Sequence, residues 1–356
     1  MNKVTKKTVY EYDAIRLIAT VLVVLGHSAY TTMQTAYGGI VINVQYSEVQ
    51  QLILLIVRLI YSFHMPLFIF LAGALYEMGR KGGKWESFFV FIITKARRLL
   101  FPFVSVTIFW LLPIKYFSGY YSVSNSIIKD MLLGQVVFFE NCHLWYVVSL
   151  FWIFQISWIM DKFLSRRFKV AAIIGLFCIA LLIPVNFLGF KKAFSYLVYF
   201  YAGKVYERKR TMFSKIDFRS RKLIISGICF YTIFIYGIYL FLFRNNDIVY
   251  SFVAFAGIGM MLLLSYLLKR KSFNMGACLP KVILKNSYGI YLFADPVNYL
   301  ILSFLLRTRL ITLYESGVGC LCVFVARAII TTSIALVVQR FINIVKANRK
   351  RAGRSL

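Results

Sequence analysis

The chain holds three histidines, His27, His64 and His143, and each falls in or beside a long apolar run. An imidazole is the side chain best suited to take up and return a proton near neutral pH. The first has polar company at helical spacing. Asp13, Arg16, Thr20 and His27 follow one another at intervals of three, four and seven residues. At ~100° per residue, the eleven steps from Arg16 to His27 close on about three full turns. The four groups therefore share one helix face, with the histidine about 16 Å along the axis from the arginine. An arginine snorkelling to an interface and a histidine satisfied by a neighbour would explain two of them singly, whereas the alignment of all four points to a site.

His64 lies in Phe63-His64-Met65-Pro66, with Gly73 following. Pro66 removes a backbone donor and frees the carbonyl of Ser62, so a kink beside His64 is expected, structural or functional. His143 stands in Glu140-Asn141-Cys142-His143-Leu144-Trp145-Tyr146, where Trp145 and Tyr146 read as interfacial anchors. Lys95, Arg97 and Arg98 precede Leu99-Leu100-Phe101-Pro102. Such a basic cluster serves topology or grips the phosphates of a ligand. Asp295, before Pro296, and Arg327 are either mutual counter-ions or parts of the same chemistry, since a charge at mid-membrane usually faces the interior of a protein.

The elements that carry these residues are apolar. The chain has 356 residues, 60% hydrophobic and 15% charged, with mean hydropathy +0.73, against roughly 25% charged in a soluble domain. Apolar runs near 14–34, 50–76, 99–113, 143–160, 170–185, 190–206, 222–243, 248–268, 283–305 and 317–343 predict an all-α polytopic membrane protein of about ten transmembrane helices. The net charge of +29 would suggest nucleic acid in a soluble protein. Here the basic residues cluster between apolar runs and read as topology. With the N-terminus inside, 31 of the 42 Lys and Arg fall on the cytoplasmic side and 7 outside, which predicts both termini in the cytoplasm. Arg16 and His27 inside the first run, without a small-residue cleavage site, mark a retained helix rather than a signal peptide. The six cysteines form no CxxC pair and lie at no metal-ligand spacing, so neither a metal site nor a disulfide framework is expected. Residues 1–356 read as one membrane domain with a basic cytoplasmic tail at about 344–356.

Together these motifs resemble the membrane acyltransferase-3 family, bacterial multi-pass O-acyltransferases of cell-surface glycans. Asp13-Ala14-Ile15-Arg16 with His27 eleven positions after Arg16 resembles the family's first-helix signature. Phe63-His64-Met65-Pro66-Leu67-Phe68 with Gly73 is similar to its second-helix motif, and Arg97-Arg98-Leu99-Leu100-Phe101-Pro102 to the basic start of its third. His143-Leu144-Trp145-Tyr146 and Ser287-Tyr288-Gly289-Ile290-Tyr291-Leu292 resemble two later motifs. The order is kept along nearly the whole chain. One departure is Phe293-Ala294-Asp295-Pro296, where many members have a histidine after the Tyr-Leu pair. The chain resembles stand-alone members, which lack a fused esterase-like domain.

The resemblance implies a cell-membrane enzyme that moves an acetyl group from acetyl-CoA, a co-substrate rather than a bound cofactor, to a sugar hydroxyl of a polysaccharide or its lipid-linked precursor. Arg97, Arg98 and Arg16 would hold the donor's phosphates. His27 would act as general base with Arg16 and Asp13 on its face, and His64 would orient it or polarise the thioester. His143, Trp145, Glu140 and Asp295 are the expected acceptor-binding group. Direct transfer and a covalent acyl intermediate are both open. The competing reading is a secondary transporter or glycan flippase relaying protons through buried His and Asp; the absence of a visible internal repeat speaks against it. No nucleic-acid partner is expected, and the lipid bilayer is the expected solvent.

Overall fold

The computed structural model describes residues 9–83, 85, 87–121, 126–137, 139, 143–214, 225, 227–229, 231–233, 235–237 and 247–352. Among them the chain is helical apart from one short hairpin. Helix α1 (Tyr10–Ala29) leads into β1 (Thr32–Thr35) and β2 (Gly38–Val41), followed by α2 (Glu48–Lys81) and α3 (Phe88–Phe117), which takes π geometry over Thr107–Leu111. Helix α4 (126–137) is π-helical over Asp130–Val137. Then come α5 (Trp145–Phe163), α6 (Arg166–Leu182), α7 (Phe190–Ser214), α8 (Asp247–Arg270), α9 (Cys278–Arg307), a 3-10 turn Leu310–Glu315 and α10 (Gly317–Ala352).

Among the described residues six helices, α1, α2, α3, α8, α9 and α10, are long and apolar enough to cross a membrane, so the protein is an all-α multi-pass membrane protein. The sequence suggested about ten spans, and the difference lies in four runs. Three of them are helical, but α5 is diluted by Gln155, Asp161 and Lys162, α6 has 17 residues and α7 is rich in Lys and Arg. The run 222–243 lies largely outside the described residues. The expected basic tail continues α10 as far as Ala352.

The chain forms two compact units. Unit 1 comprises Met1–Ala19, Leu59–Leu100 and Tyr146–Leu284; unit 2 comprises Thr20–Arg58, Phe101–Trp145 and Lys285–Leu356. In unit 1, α2 and α7 touch backbone to backbone. A Cβ on Gly73 would lie 2.0 Å from the Phe200 carbonyl oxygen, and one on Gly203 would lie 1.9 Å from that of Phe70. Only glycine permits this approach, the small-residue contact by which membrane helices pack closely. Charged groups in this unit are tied to one another: Glu77 accepts from Arg80 and Arg208 at 3.0 and 2.9 Å, and Asp161 pairs with Lys204 and Lys169 at 2.6 and 3.1 Å.

In unit 2 the hairpin docks on the segment after α3. Gly39 N–H donates to the Tyr120 carbonyl at 2.9 Å, and a Cβ on Gly38 would fall 2.1 Å from that same oxygen. Lys115 at the end of α3 and Asp130 on α4 are fully buried and pair at 2.8 Å. Asp130 also accepts from Tyr121 Oη at 2.9 Å and Gln135 Nε2 at 2.8 Å. Burial and the adjacent carboxylate push the Tyr121 hydroxyl above its ordinary pKa. Three donors on one carboxylate offset the cost of burying its charge, and they pin the segment that carries Tyr120 and Tyr121.

Candidate active site

The last turn of α1 ends at Ala29 and brings His27 to the most polar cluster of unit 2. His27 Nδ1 lies 2.9 Å from Asp295 Oδ1. Tyr30, just past the helix end, donates its hydroxyl to the same oxygen at 2.8 Å. His143 approaches the other side, its Nδ1 3.3 Å from Asp295 Oδ2 but out of line for a hydrogen bond. One carboxylate thus lies between two imidazoles and accepts from a phenol.

The placement of His143 follows from one residue on α9. Pro296 has no N–H, so the carbonyl four residues earlier, that of Leu292, loses its helical donor. His143 Nε2 occupies that place, 3.2 Å from the Leu292 oxygen. A carbonyl can only accept, so Nε2 carries the proton. Tyr291 Oη donates to the His143 carbonyl and secures the backbone as well. Tyr291, Leu292, Asp295 and Pro296 lie within two turns of α9, and that stretch is buried.

His27 has the more open ring of the two, with its side chain 22% exposed against 2% for His143. Its Nδ1 is engaged by Asp295, so uptake of a further proton falls to Nε2. A carboxylate holding one imidazole nitrogen fixes the tautomer and stabilises the imidazolium formed when the other takes a proton. This is the local chemistry of a general base.

A model of a protein family described as an acyltransferase domain matches residues 9–340. The chain belongs to the membrane acyltransferase-3 family. It is an enzyme that transfers acyl groups. Neither the curated proteins nor the solved structures contain a match to it.

The residues singled out from the acyltransferase's sequence divide between the two units. Unit 2 holds His27, His143, Trp145 and Asp295. Of these, His27, His143 and Asp295 meet, and Trp145 is the half-buried first residue of α5. Unit 1 holds Asp13, Arg16, His64, Arg97 and Arg98. Arg16 Nη2 pairs with Asp13 at 2.6 Å, one turn away on its own helix. His64 is buried, its Nδ1 2.9 Å from the Ile60 carbonyl and its ring 5.1 Å from that of Tyr61. Arg97 and Arg98 are exposed on α3. Glu140 lies outside the described residues.

Asp295 and Arg327 are not mutual counter-ions. Asp295 pairs with histidines, and Arg327 bonds neutral oxygens. Tyr30 was missed in the sequence; its one signal was a hydroxyl three residues past His27. Asn298 and Tyr314, which bind Arg327, carried none.

Proposed function

We propose that this enzyme is an O-acetyltransferase of the cell membrane, taking acetyl groups from cytoplasmic acetyl-CoA and placing them on a sugar hydroxyl of a surface polysaccharide or its lipid-linked precursor. The observation that carries this reading is the His27–Asp295 contact of 2.9 Å within a membrane acyltransferase-3 chain. In the reaction, His27 Nε2 takes the proton of the acceptor hydroxyl as its oxygen bonds to the thioester carbonyl carbon. The C–S bond then breaks, and the leaving thiolate collects the proton from the imidazolium. Asp295 keeps Nδ1 protonated and offsets the charge that forms on the ring. Tyr30 holds Asp295 in place, and His143, with Nε2 on the Leu292 carbonyl and Nδ1 facing Asp295, is turned to protein instead of touching the acceptor.

The donor's phosphates are assigned to Arg97, Arg98 and Arg16. They belong on the cytoplasmic side by the asymmetry of basic residues, which also supports cytoplasmic termini. The test is transfer of labelled acetyl groups from acetyl-CoA by the purified protein in membranes supplied with the glycan acceptor. Label in the glycan supports the proposal. Movement of glycan or protons across the membrane without label would replace it with a transporter.

A further inference from the structure

Arg327 on α10 is 1% exposed, and its contacts in the structure are neutral oxygens. Nε donates to Asn298 Oδ1 at 2.9 Å, Nη1 to the Tyr30 carbonyl at 2.6 Å and to Tyr314 Oη at 3.1 Å, and Nη2 to the His27 carbonyl at 3.4 Å. The guanidinium also lies 5.1 Å from the centre of the Tyr30 ring. Among the described residues no carboxylate pairs with it, and the nearest expected one, Asp295, is engaged by His27 and His143. A guanidinium held this deep without a counter-ion is expensive, and such groups in membrane proteins serve a function.

The identity of the four oxygens indicates which. Helix α1 ends at Ala29, so the His27 and Tyr30 carbonyls belong to its C-terminal end, where carbonyls lack helical donors and the helix dipole is negative. Asn298 lies three residues beyond Asp295 on α9. One side chain therefore satisfies the backbone of the residues that carry His27 and Tyr30, and ties it to the helix that carries Asp295. With four of its five N–H groups spent in this way and 1% exposure, the guanidinium is not placed to receive a substrate anion.

We infer that Arg327 is a positioning residue of the acyl-transfer site: it caps α1 from a distant helix and sets His27 Nδ1 on Asp295 Oδ1. This rests on the reading of His27 as the base. The alternative is a residue that merely stabilises the fold.

The test uses the full chain in membranes with Arg327→Gln, Arg327→Lys, Asp295→Asn and the Gln–Asn double variant. Expected for Arg327→Gln is a kcat roughly 10-fold to 100-fold lower with KM for acetyl-CoA within about twofold. The double variant should be no slower than Asp295→Asn alone, because both changes act through His27. Losses that multiply, or that simply follow the amount of folded protein, would overturn the inference. A second readout needs no activity: the rate at which diethyl pyrocarbonate modifies His27, followed by mass spectrometry with His64 as internal control. Expected is a change of about fivefold or more at His27 alone; an unchanged rate in a folded variant overturns the positioning role. Arg327→Lys keeps the charge but reaches fewer of the oxygens, so it should fall between wild type and Gln, and it carries the same readouts if Gln does not accumulate. If wild type transfers no acetyl group, the proposed reaction fails, while the His27 modification rate still decides what Arg327 does.

Discussion

Asp161 in unit 1 and Asp295 in unit 2 have equally buried side chains, each 7% exposed, yet they keep different company. Asp161 is held by the ammonium groups of Lys204 and Lys169, at 2.6 and 3.1 Å. Asp295 is held by the His27 imidazole and the Tyr30 phenol, and it faces the ring of His143. Burial lowers the Lys204 ammonium from its ordinary value to about 8, while the Asp161 carboxylate favours its charge, so near neutral pH the first arrangement is an ion pair. Imidazole gains and loses a proton within the physiological range, so the second can pass one on. Burial of a carboxylate is common to both. The partner decides whether the group serves the fold or the chemistry.

The comparison is open to direct attack. The largest effect should come from His27→Ala, which removes the proposed base and should lower turnover by roughly 100-fold to 10,000-fold at normal protein abundance. Asp295→Asn comes next. It keeps the shape but not the charge, and turnover should fall by about 100-fold in radiolabel transfer assays with little loss of folded protein. The matched change in unit 1, Asp161→Asn, should do the reverse. It leaves Lys204 buried without its carboxylate, which costs about 3 kcal/mol of stability, visible as a lower melting temperature in detergent. The rate per folded molecule should stay near wild type. Equal catalytic losses in the two Asn variants would erase the distinction.

Smaller effects sharpen it. Arg97→Ala combined with Arg98→Ala removes exposed charge, so thermal stability should hold while apparent affinity for acetyl-CoA falls about 10-fold to 100-fold, the worth of charge-assisted bonds to phosphate. Pro296→Ala should have the mildest effect. It restores an N–H that competes with His143 for the Leu292 carbonyl, and the loss of that one hydrogen bond should lower turnover by roughly 2-fold to 10-fold. Turnover of Pro296→Ala at or above wild type would remove His143 from the account.

Much of this was legible in the residues. Helical spacing placed His27 on a polar face of α1, and motif order indicated the family that residues 9–340 confirm. What was not legible has a common cause. Periodicity reports which face of a helix a residue occupies, and it is silent on which helix meets that face. His143 bonds a carbonyl 149 residues away, and Arg327 bonds one 297 residues away. Every residue has a carbonyl, so such partners leave no trace in side-chain identity. Pro296 was the exception, because a proline inside a helix announces an available carbonyl at Leu292. Arg16 shows the opposite limit: it shares α1 with His27, but its salt bridge goes to Asp13 in its own turn. Six of the ten expected runs are long and apolar enough among the described residues, and α5, with Gln155, Asp161 and Lys162 among its Phe, Trp and Tyr, shows how a run that is apolar by residue class falls short in sum.

The central claim is that His27 moves a proton in acyl transfer, and the substitution that tests it most directly is His27→Gln. Glutamine retains hydrogen bonding and similar bulk but takes up no proton near neutral pH. The measurement is labelled acetyl transfer per folded molecule, wild type against His27→Gln, in the same membranes at matched abundance. The account predicts a loss of about 100-fold or more. A folded His27→Gln protein that acetylates at close to the wild-type rate would contradict it.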